Sequence, residues 1–149
     1  MNPFDIKSAL LAKHAQHVVL IHFPIALFIA GVAFDFLAQS AKRRALEVVA
    51  YYNLLGAAIS AVPVVVTGLL AWQFQLEGQK LKGTLLMHLV LGSTSAVLIW
   101  IAWALHFRAR KSFDTRPPLF RLTLETVAMA IVGLTGHLGG FLSGVNGPS

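Results

Sequence analysis

Four long apolar stretches constrain this sequence more than any other feature. They cover roughly residues 16–38, 47–73, 83–106 and 119–142 of the 149. Each stretch can cross about 30 Å of hydrocarbon as an α-helix, which needs about 20 residues. Strands of a membrane β-barrel are about 10 residues long and alternate in polarity, so a barrel fits this pattern poorly. The sequence therefore predicts an all-α integral membrane protein with four transmembrane helices.

Charge is scarce and falls between the apolar stretches. Charged residues make up 12% of the chain, about half of their share in a soluble domain. The connections are short, which favours an up-down-up-down four-helix bundle. We therefore expect residues 1–149 to form a single transmembrane domain. Residues 1–13 are polar, so the first span is expected to be its own insertion signal rather than a cleaved signal peptide.

The positions of the basic residues predict the orientation. The first and third connections, with the edge of the fourth span, carry eight of them: Lys42, Arg43, Arg44, Arg108, Arg110, Lys111, Arg116 and Arg121. The N-terminal segment and the second connection carry four: Lys7, Lys13, Lys80 and Lys82. Loops rich in Lys and Arg face the cytoplasm, so both termini are predicted outside. The net charge of +6 has the same explanation, and nucleic acid binding is not expected.

Four of the six histidines lie near the outer end of a predicted span. His17 and His22 are in the first two turns of the first span, His88 is near the start of the third, and His137 is near the end of the fourth. At 1.5 Å per residue, the last three share a level roughly 8 Å below the outer boundary. Ionisable residues inside a membrane are candidates for function, because burying them unsatisfied costs several kcal/mol.

Small residues share the helix faces of these histidines, at about 100° per residue. They are Ala26 in the first span, Gly92 in the third, and Gly133 and Gly140 in the fourth. A porphyrin needs small residues beside its ligands, and neutral imidazole is a common axial ligand of haem iron. The sequence therefore predicts a site for one or two b-type haems, each held by two histidines.

The arrangement of the spans suggests how the ligands pair. The first and third spans lie diagonally across an up-down bundle, so His22 and His88 are predicted to bind one iron from opposite sides. His17 lies about 140° around the helix from His22. It remains, with His137, a candidate for a second haem or for hydrogen bonds to propionates or quinol. The predicted propionate partners are Lys13, Lys80 and Lys82.

Other interpretations of the histidines stay open. Histidines also form hydrogen bonds between helices, and small residues also let helices pack closely. Both features would suit a cofactor-free membrane anchor or assembly subunit. A histidine-based copper or zinc site is a further interpretation, although no His-x-x-x-His spacing supports zinc. The chain has no cysteine, which excludes thiolate ligands, iron–sulfur clusters and covalently attached c-type haem.

Two acidic residues lie just inside the hydrocarbon at the cytoplasmic side. They are Asp35 and Glu125. Ion pairing with Arg43, Arg44 or Arg121 is the ordinary explanation, and a proton path to a quinone is the alternative. No Ser/His/Asp arrangement, phosphate loop or HExxH helix is present, so hydrolase and nucleotide-dependent chemistry are not expected. The haem interpretation favours an electron-transfer subunit over a stand-alone enzyme.

The sequence also predicts the local structure around His106 and Pro24. His106, beside Arg108, is expected to be an anchor at the membrane interface. Pro24 has no N–H, so it is expected to kink the first span and to free the carbonyl of Leu20.

Two segments carry a resemblance to a known family. Residues 22–27 read HFPIAL and residues 135–140 read TGHLGG. They resemble the two signatures of a bacterial family of uncharacterised four-span membrane proteins, and the resemblance covers residues 13–147. The four histidines near the outer side match those of the family, whose members occur beside or fused to c-type cytochromes and other redox modules. The resemblance implies a cytochrome b-like subunit of the bacterial cytoplasmic membrane, which passes electrons between an external redox partner and the quinone pool. Homo-oligomer formation is left open.

Overall fold

The computed structural model describes residues 13–75, 78, 80–111 and 119–143. Within these ranges the chain forms five helices, α1 (Lys13–Leu20), α2 (His22–Ala41), α3 (Arg44–Gln75), α4 (Gly83–Lys111) and α5 (Leu119–Leu142). Four segments are long and apolar enough to cross a membrane: Gln16–Ala41, Arg44–Phe74, Gly83–Arg110 and Leu119–Leu142. The first of them comprises most of α1 and all of α2. The predicted all-α, four-span fold is confirmed.

Successive spans pack side by side. Helix α2 contacts α3, α3 contacts α4, α4 contacts α5, and α5 returns to contact α2. This is the predicted up-down-up-down bundle, with α2 and α4 at opposite corners. Large apolar side chains such as Ile59, Val62 and Val66 are exposed along α3. Their exposure fits a lipid environment, where apolar surface has no reason to be buried.

A glycine lets α2 and α3 approach closely at the centre of the bundle. A Cβ atom added at Gly31 would lie 2.8 Å from Cγ of Leu54, which is fully buried. Phe28, Ala57 and Ala58 belong to the same apolar core. Small residues at a membrane helix interface allow backbones to approach and gain van der Waals contact. Packing at this point therefore depends on the missing side chain of Gly31.

The first span is interrupted where Pro24 predicts a kink. Helix α1 ends at Leu20, and α2 begins at His22. The Ile21 N–H donates to the His17 carbonyl at 3.0 Å, and the Ile25 N–H donates to the Ile21 carbonyl at 3.4 Å. Pro24 has no N–H to donate to the Leu20 carbonyl, which is the cause of the break. The helix is thus interrupted near the proline, and the expected kink stays a prediction.

The chain reverses direction between α2 and α3 at Lys42. Its φ of 51° and ψ of 39° place it in the left-handed region, and its N–H donates to the carbonyl of Ala38. Arg43 also donates its N–H to this carbonyl, at 3.3 Å. A left-handed residue after the last helical turn is a common helix ending, and glycine is the usual residue there.

Replacing Lys42 with glycine is expected to raise the free energy of unfolding by about 1 kcal/mol, because an L-residue in the left-handed region is strained by about 1–2 kcal/mol. The midpoint of unfolding in mixed micelles of mild detergent and dodecyl sulfate would measure the gain. The control is Lys42→Ala, which removes the charge but keeps a Cβ atom. An equal gain in both variants would show that the lysine charge, rather than the backbone conformation, limits stability.

Candidate functional site

The four histidines of interest lie at the same end of the bundle. His17 is in α1, His22 begins α2, His88 is in the second turn of α4, and His137 is in the last two turns of α5. Neighbouring spans run in opposite directions. The starts of the first and third spans therefore meet the ends of the second and fourth, and we call this the histidine end.

The imidazole of His17 lies against α3. Its Nδ1 is 3.1 Å from the Val64 carbonyl oxygen and 3.2 Å from Oγ1 of Thr67. A carbonyl oxygen only accepts, so Nδ1 carries a proton, and in the neutral ring the lone pair is on Nε2. A Cβ atom at Gly68 would lie 2.9 Å from Cε1 of His17, so the ring occupies the space that a side chain would take.

The imidazole of His88 lies against α5 in the same way. Its Nδ1 donates to the Thr135 carbonyl oxygen at 3.1 Å. A Cβ atom at Gly139 would lie 3.1 Å from Cε1 of the ring. Oγ of Ser95 is 3.0 Å from Oγ1 of Thr135, which adds a second polar contact between α4 and α5. The tautomer of His88 therefore also has its lone pair on Nε2.

The other two histidines are exposed. Nδ1 of His22 donates at 3.3 Å to the carbonyl oxygen of Val19, which lies in the last turn of α1. The ring of His137 meets the ring of Phe141 edge to face, with centroids 5.0 Å apart. Two of the four histidines are thus held between helices, and two lie on the surface of the bundle. The pairing of His22 with His88 on one iron stays a prediction.

The small residues predicted beside the haem differ in their surroundings. Ala26 and Gly133 are exposed, whereas Gly92 and Gly140 are half-buried. A Cβ atom at Gly133 would meet no other atom within 4 Å among the described residues, whereas one at Gly92 would lie 3.6 Å from a methyl group of Thr135. The face of α5 that carries Gly133 is therefore open.

The lysines predicted as propionate partners lie near the histidine end. Lys80 and Lys82 are exposed and directly precede α4. The side chain of Lys13 lies outside the described residues. The role of the three lysines stays a prediction.

Four ionisable side chains meet inside the opposite end of the bundle. They are Asp35 of α2, His106 of α4, and Arg121 and Glu125 of α5, and all four are buried. Arg121 donates through Nη2 to Oδ1 of Asp35 at 2.8 Å and through Nε to Oδ2 at 3.2 Å. Nε2 of His106 is 2.7 Å from Oε1 of Glu125 and 3.6 Å from Oδ2 of Asp35. We call these four residues the buried tetrad.

The contacts of the buried tetrad differ in part from those expected from the sequence. The expected pairing of Asp35 with an arginine is confirmed with Arg121, but Glu125 pairs with His106 instead. The expectation that His106 is an interface anchor is wrong, because this side chain is 4% exposed and lies beside two carboxylates. The sequence did contain one indication of this cluster, which is the depth of the four residues along their spans. The four residues lie near the same end of the bundle, in three spans, but depth alone does not show which of them face each other.

The two sites are far apart. His88 and His106 lie on the same helix, and at 1.5 Å per residue they are about 27 Å apart along its axis. This distance is close to the thickness of the hydrocarbon core, about 30 Å. The histidine end and the buried tetrad therefore lie near opposite faces of the membrane.

Residues 13–147, nearly all of the chain, match the model of a family described as predicted membrane protein (DUF2231). Neither a curated protein nor a solved structure matches.

Proposed function

This chain belongs to the DUF2231 family of predicted membrane proteins, and from that premise we propose that it is a membrane-embedded electron-transfer subunit that binds b-type haem through its histidines. In this proposal the histidine end faces the outside of a bacterial cytoplasmic membrane, with both termini on that side. An external redox partner, such as a c-type cytochrome, exchanges electrons there, and the quinone pool is the second partner.

The observation that carries the proposal is the shared orientation of His17 and His88. Each donates its Nδ1–H to a backbone carbonyl of the neighbouring helix, at 3.1 Å in both cases. Histidines that bind metal are commonly held in this way, because a hydrogen bond from one ring nitrogen fixes the tautomer and directs the other nitrogen to the metal. Two rings at one end of the bundle have this arrangement.

The residues at the histidine end fit a haem in their donor chemistry. Neutral imidazoles are axial ligands of haem iron, and bound haem would supply reversible one-electron exchange. Gly68 and Gly139 seat the rings of His17 and His88 against the backbone, so these rings are fixed by packing as well as by hydrogen bonds. The protein's part is to hold the imidazoles in place and to exclude water from between the helices.

The exposed Lys80 and Lys82 support an electron-transfer role at this surface. They precede α4 on the side where His88 lies. Lysine side chains form charge-assisted hydrogen bonds with carboxylates, which include haem propionates and acidic side chains of a docked protein. Positive charge near the site would also increase the rate of encounter with an acidic partner.

A second function is favoured by the same two contacts. Hydrogen bonds from His17 to α3 and from His88 to α5 join neighbouring spans. Such bonds stabilise membrane bundles by about 0.6 kcal/mol on average. A cofactor-free anchor or assembly subunit would need nothing more from these histidines. The two candidates differ in one observable, which is whether the folded protein carries haem.

Replacing His88 with alanine is expected to lower the haem content by about one equivalent per chain, because the iron loses an axial ligand. The haem content of protein purified in mild detergent would be measured by absorption and compared with His22→Ala, expected to have the same effect. The control is His14→Ala, since His14 has no predicted ligand role. Equal haem content in all three variants would remove the ligand assignment. A folded, colourless wild-type protein would favour the anchor.

A further inference from the structure

The buried tetrad has an unbalanced charge when each of its members is in its usual state at neutral pH. The carboxylates of Asp35 and Glu125 carry two negative charges, Arg121 carries one positive charge, and a neutral His106 carries none. The net charge is therefore −1. All four side chains are buried, with Asp35 and Glu125 at 0% exposure. An uncompensated charge in a membrane interior is strongly unfavourable, so the tetrad needs one further positive charge.

Among the residues whose side chains the structure describes, no charged group outside the tetrad is buried. Among the described residues of α3, no charged side chain is buried. The buried ring of Tyr51 lies against Arg110, with 4.3 Å between the ring centroid and Cζ of the guanidinium. Gln39 of α2 donates to Oδ1 of Asp35 at 3.3 Å but is uncharged. Arg43, Arg44 and Glu47 are exposed to solvent, where their charges are screened.

One oxygen in the tetrad independently points to a missing positive charge. Oε2 of Glu125 is buried and has no hydrogen-bond partner among the described residues. Burying a charged carboxylate oxygen without a hydrogen-bond partner costs free energy. The cost is lower when the acid is neutral, and it is also lower when the carboxylate is paired with an imidazolium. The other oxygen of Glu125 lies 2.7 Å from Nε2 of His106, which is a distance typical of a charge-assisted hydrogen bond.

We propose that the buried tetrad is a proton-binding site, in which the His106–Glu125 pair reversibly takes up one proton from the aqueous phase. In the unloaded state, Nε2–H of neutral His106 donates to the Glu125 carboxylate, and Nδ1 carries no proton. In the loaded state, Nδ1 is protonated and a second proton lies in the bond between Nε2 and Oε1. Unloading breaks one N–H bond and passes that proton to a base in solution. Arg121 donates to both carboxylate oxygens of Asp35, which leaves the His106–Glu125 pair as the site of proton uptake.

A metal ion is the main rival ligand. Three possible ligand atoms lie within 4.8 Å of one another, one from each of Asp35, His106 and Glu125. Arg121, however, already donates to both oxygens of Asp35. A divalent ion would change the net charge from −1 to +1, whereas a proton brings it to zero. Sodium would also balance the charge, so the experiment includes sodium as a variable.

The proposal does not rest on haem binding, and its test needs no haem. The full chain, with ¹⁵N-labelled histidine, would be placed in lipid nanodiscs and titrated from mildly acidic to mildly alkaline pH in potassium buffer. Histidine ¹⁵N spectra distinguish protonated from unprotonated Nδ1. The ring of His106 is expected to lose its Nδ1 proton over the titration, and the signal is assigned to His106 by its absence in His106→Gln.

Two substitutions remove the charge imbalance, and both are expected to abolish proton uptake. In Glu125→Gln and in Asp35→Asn, one carboxylate remains beside Arg121, so the net charge is zero when His106 is neutral. Either variant suffices if the other does not fold. The matched control is Glu47→Gln, which removes an exposed carboxylate of α3, and it should titrate as the wild type does.

Three results would overturn the proposal. One is that His106 remains neutral at every pH in the wild type. Another is that Glu125→Gln and Asp35→Asn titrate as the wild type does. The third is that replacing potassium with sodium, or adding a divalent ion, displaces the proton, since the bound ligand would then be a metal cation. A colourless protein that still shows the titration would contradict the haem proposal alone.

Discussion

Replacing Arg121 with glutamine is expected to destabilise the protein by about 3–5 kcal/mol, which is the usual effect of removing one partner from a buried ion pair. Arg121 makes two hydrogen bonds to Asp35, at 2.8 and 3.2 Å, and is itself 6% exposed. Without it, two buried carboxylates remain beside a single imidazole. The midpoint of unfolding in mixed micelles of mild detergent and dodecyl sulfate would measure the loss.

The double variant Arg121→Gln with Asp35→Asn separates charge from packing. It removes the opposite charges together and restores the net charge that the wild-type tetrad has before it binds a proton. We expect most of the lost stability to return, because the cost of a broken buried pair arises mainly from the charge left behind. If the double variant were as unstable as Arg121→Gln alone, the guanidinium would act through its packing and not through its charge.

Replacing Gly31 with valine is expected to destabilise the bundle by at least about 1–3 kcal/mol, the usual effect of overpacking a well-packed core. Even the first added atom would lie 2.8 Å from Cγ and 3.2 Å from the backbone nitrogen of Leu54. Leu54 is fully buried between α2 and its neighbours, so neither its side chain nor its backbone has space to move. The helices would have to separate at their closest contact.

The matched control is Gly133→Val, at an exposed position where a Cβ atom meets nothing within 4 Å among the described residues. Its unfolding midpoint should change little. Adding Leu54→Ala to Gly31→Val should recover part of the stability, because the smaller side chain makes room for the valine. Equal effects of valine at positions 31 and 133 would indicate a general cost of replacing glycine in these spans rather than a clash.

The sequence was sufficient for the fold, because crossing a membrane leaves few choices. An apolar stretch of about 20 residues predicts a span, and short connections predict antiparallel neighbours. Pro24 also marked the break between α1 and α2, since a proline nitrogen has no proton to donate. These features depend only on residues close together in the chain.

The contacts between spans could not be predicted in the same way. Depth in the membrane follows from position in a span, so the sequence could place His88 and His106 near opposite faces. The rotation of each helix is set by packing against the others. It therefore required the structure to show that His106 faces Glu125 and that His88 faces the Thr135 carbonyl.

Haem binding at the histidine end is tested by the absorption spectrum of the wild-type protein. The protein would be expressed in cells supplied with a haem precursor, purified in mild detergent and compared before and after reduction by dithionite. We expect the reduced-minus-oxidised bands of b-type haem, with one or two haems per chain. A folded, monodisperse protein without these bands, which also fails to bind added haemin, would contradict it.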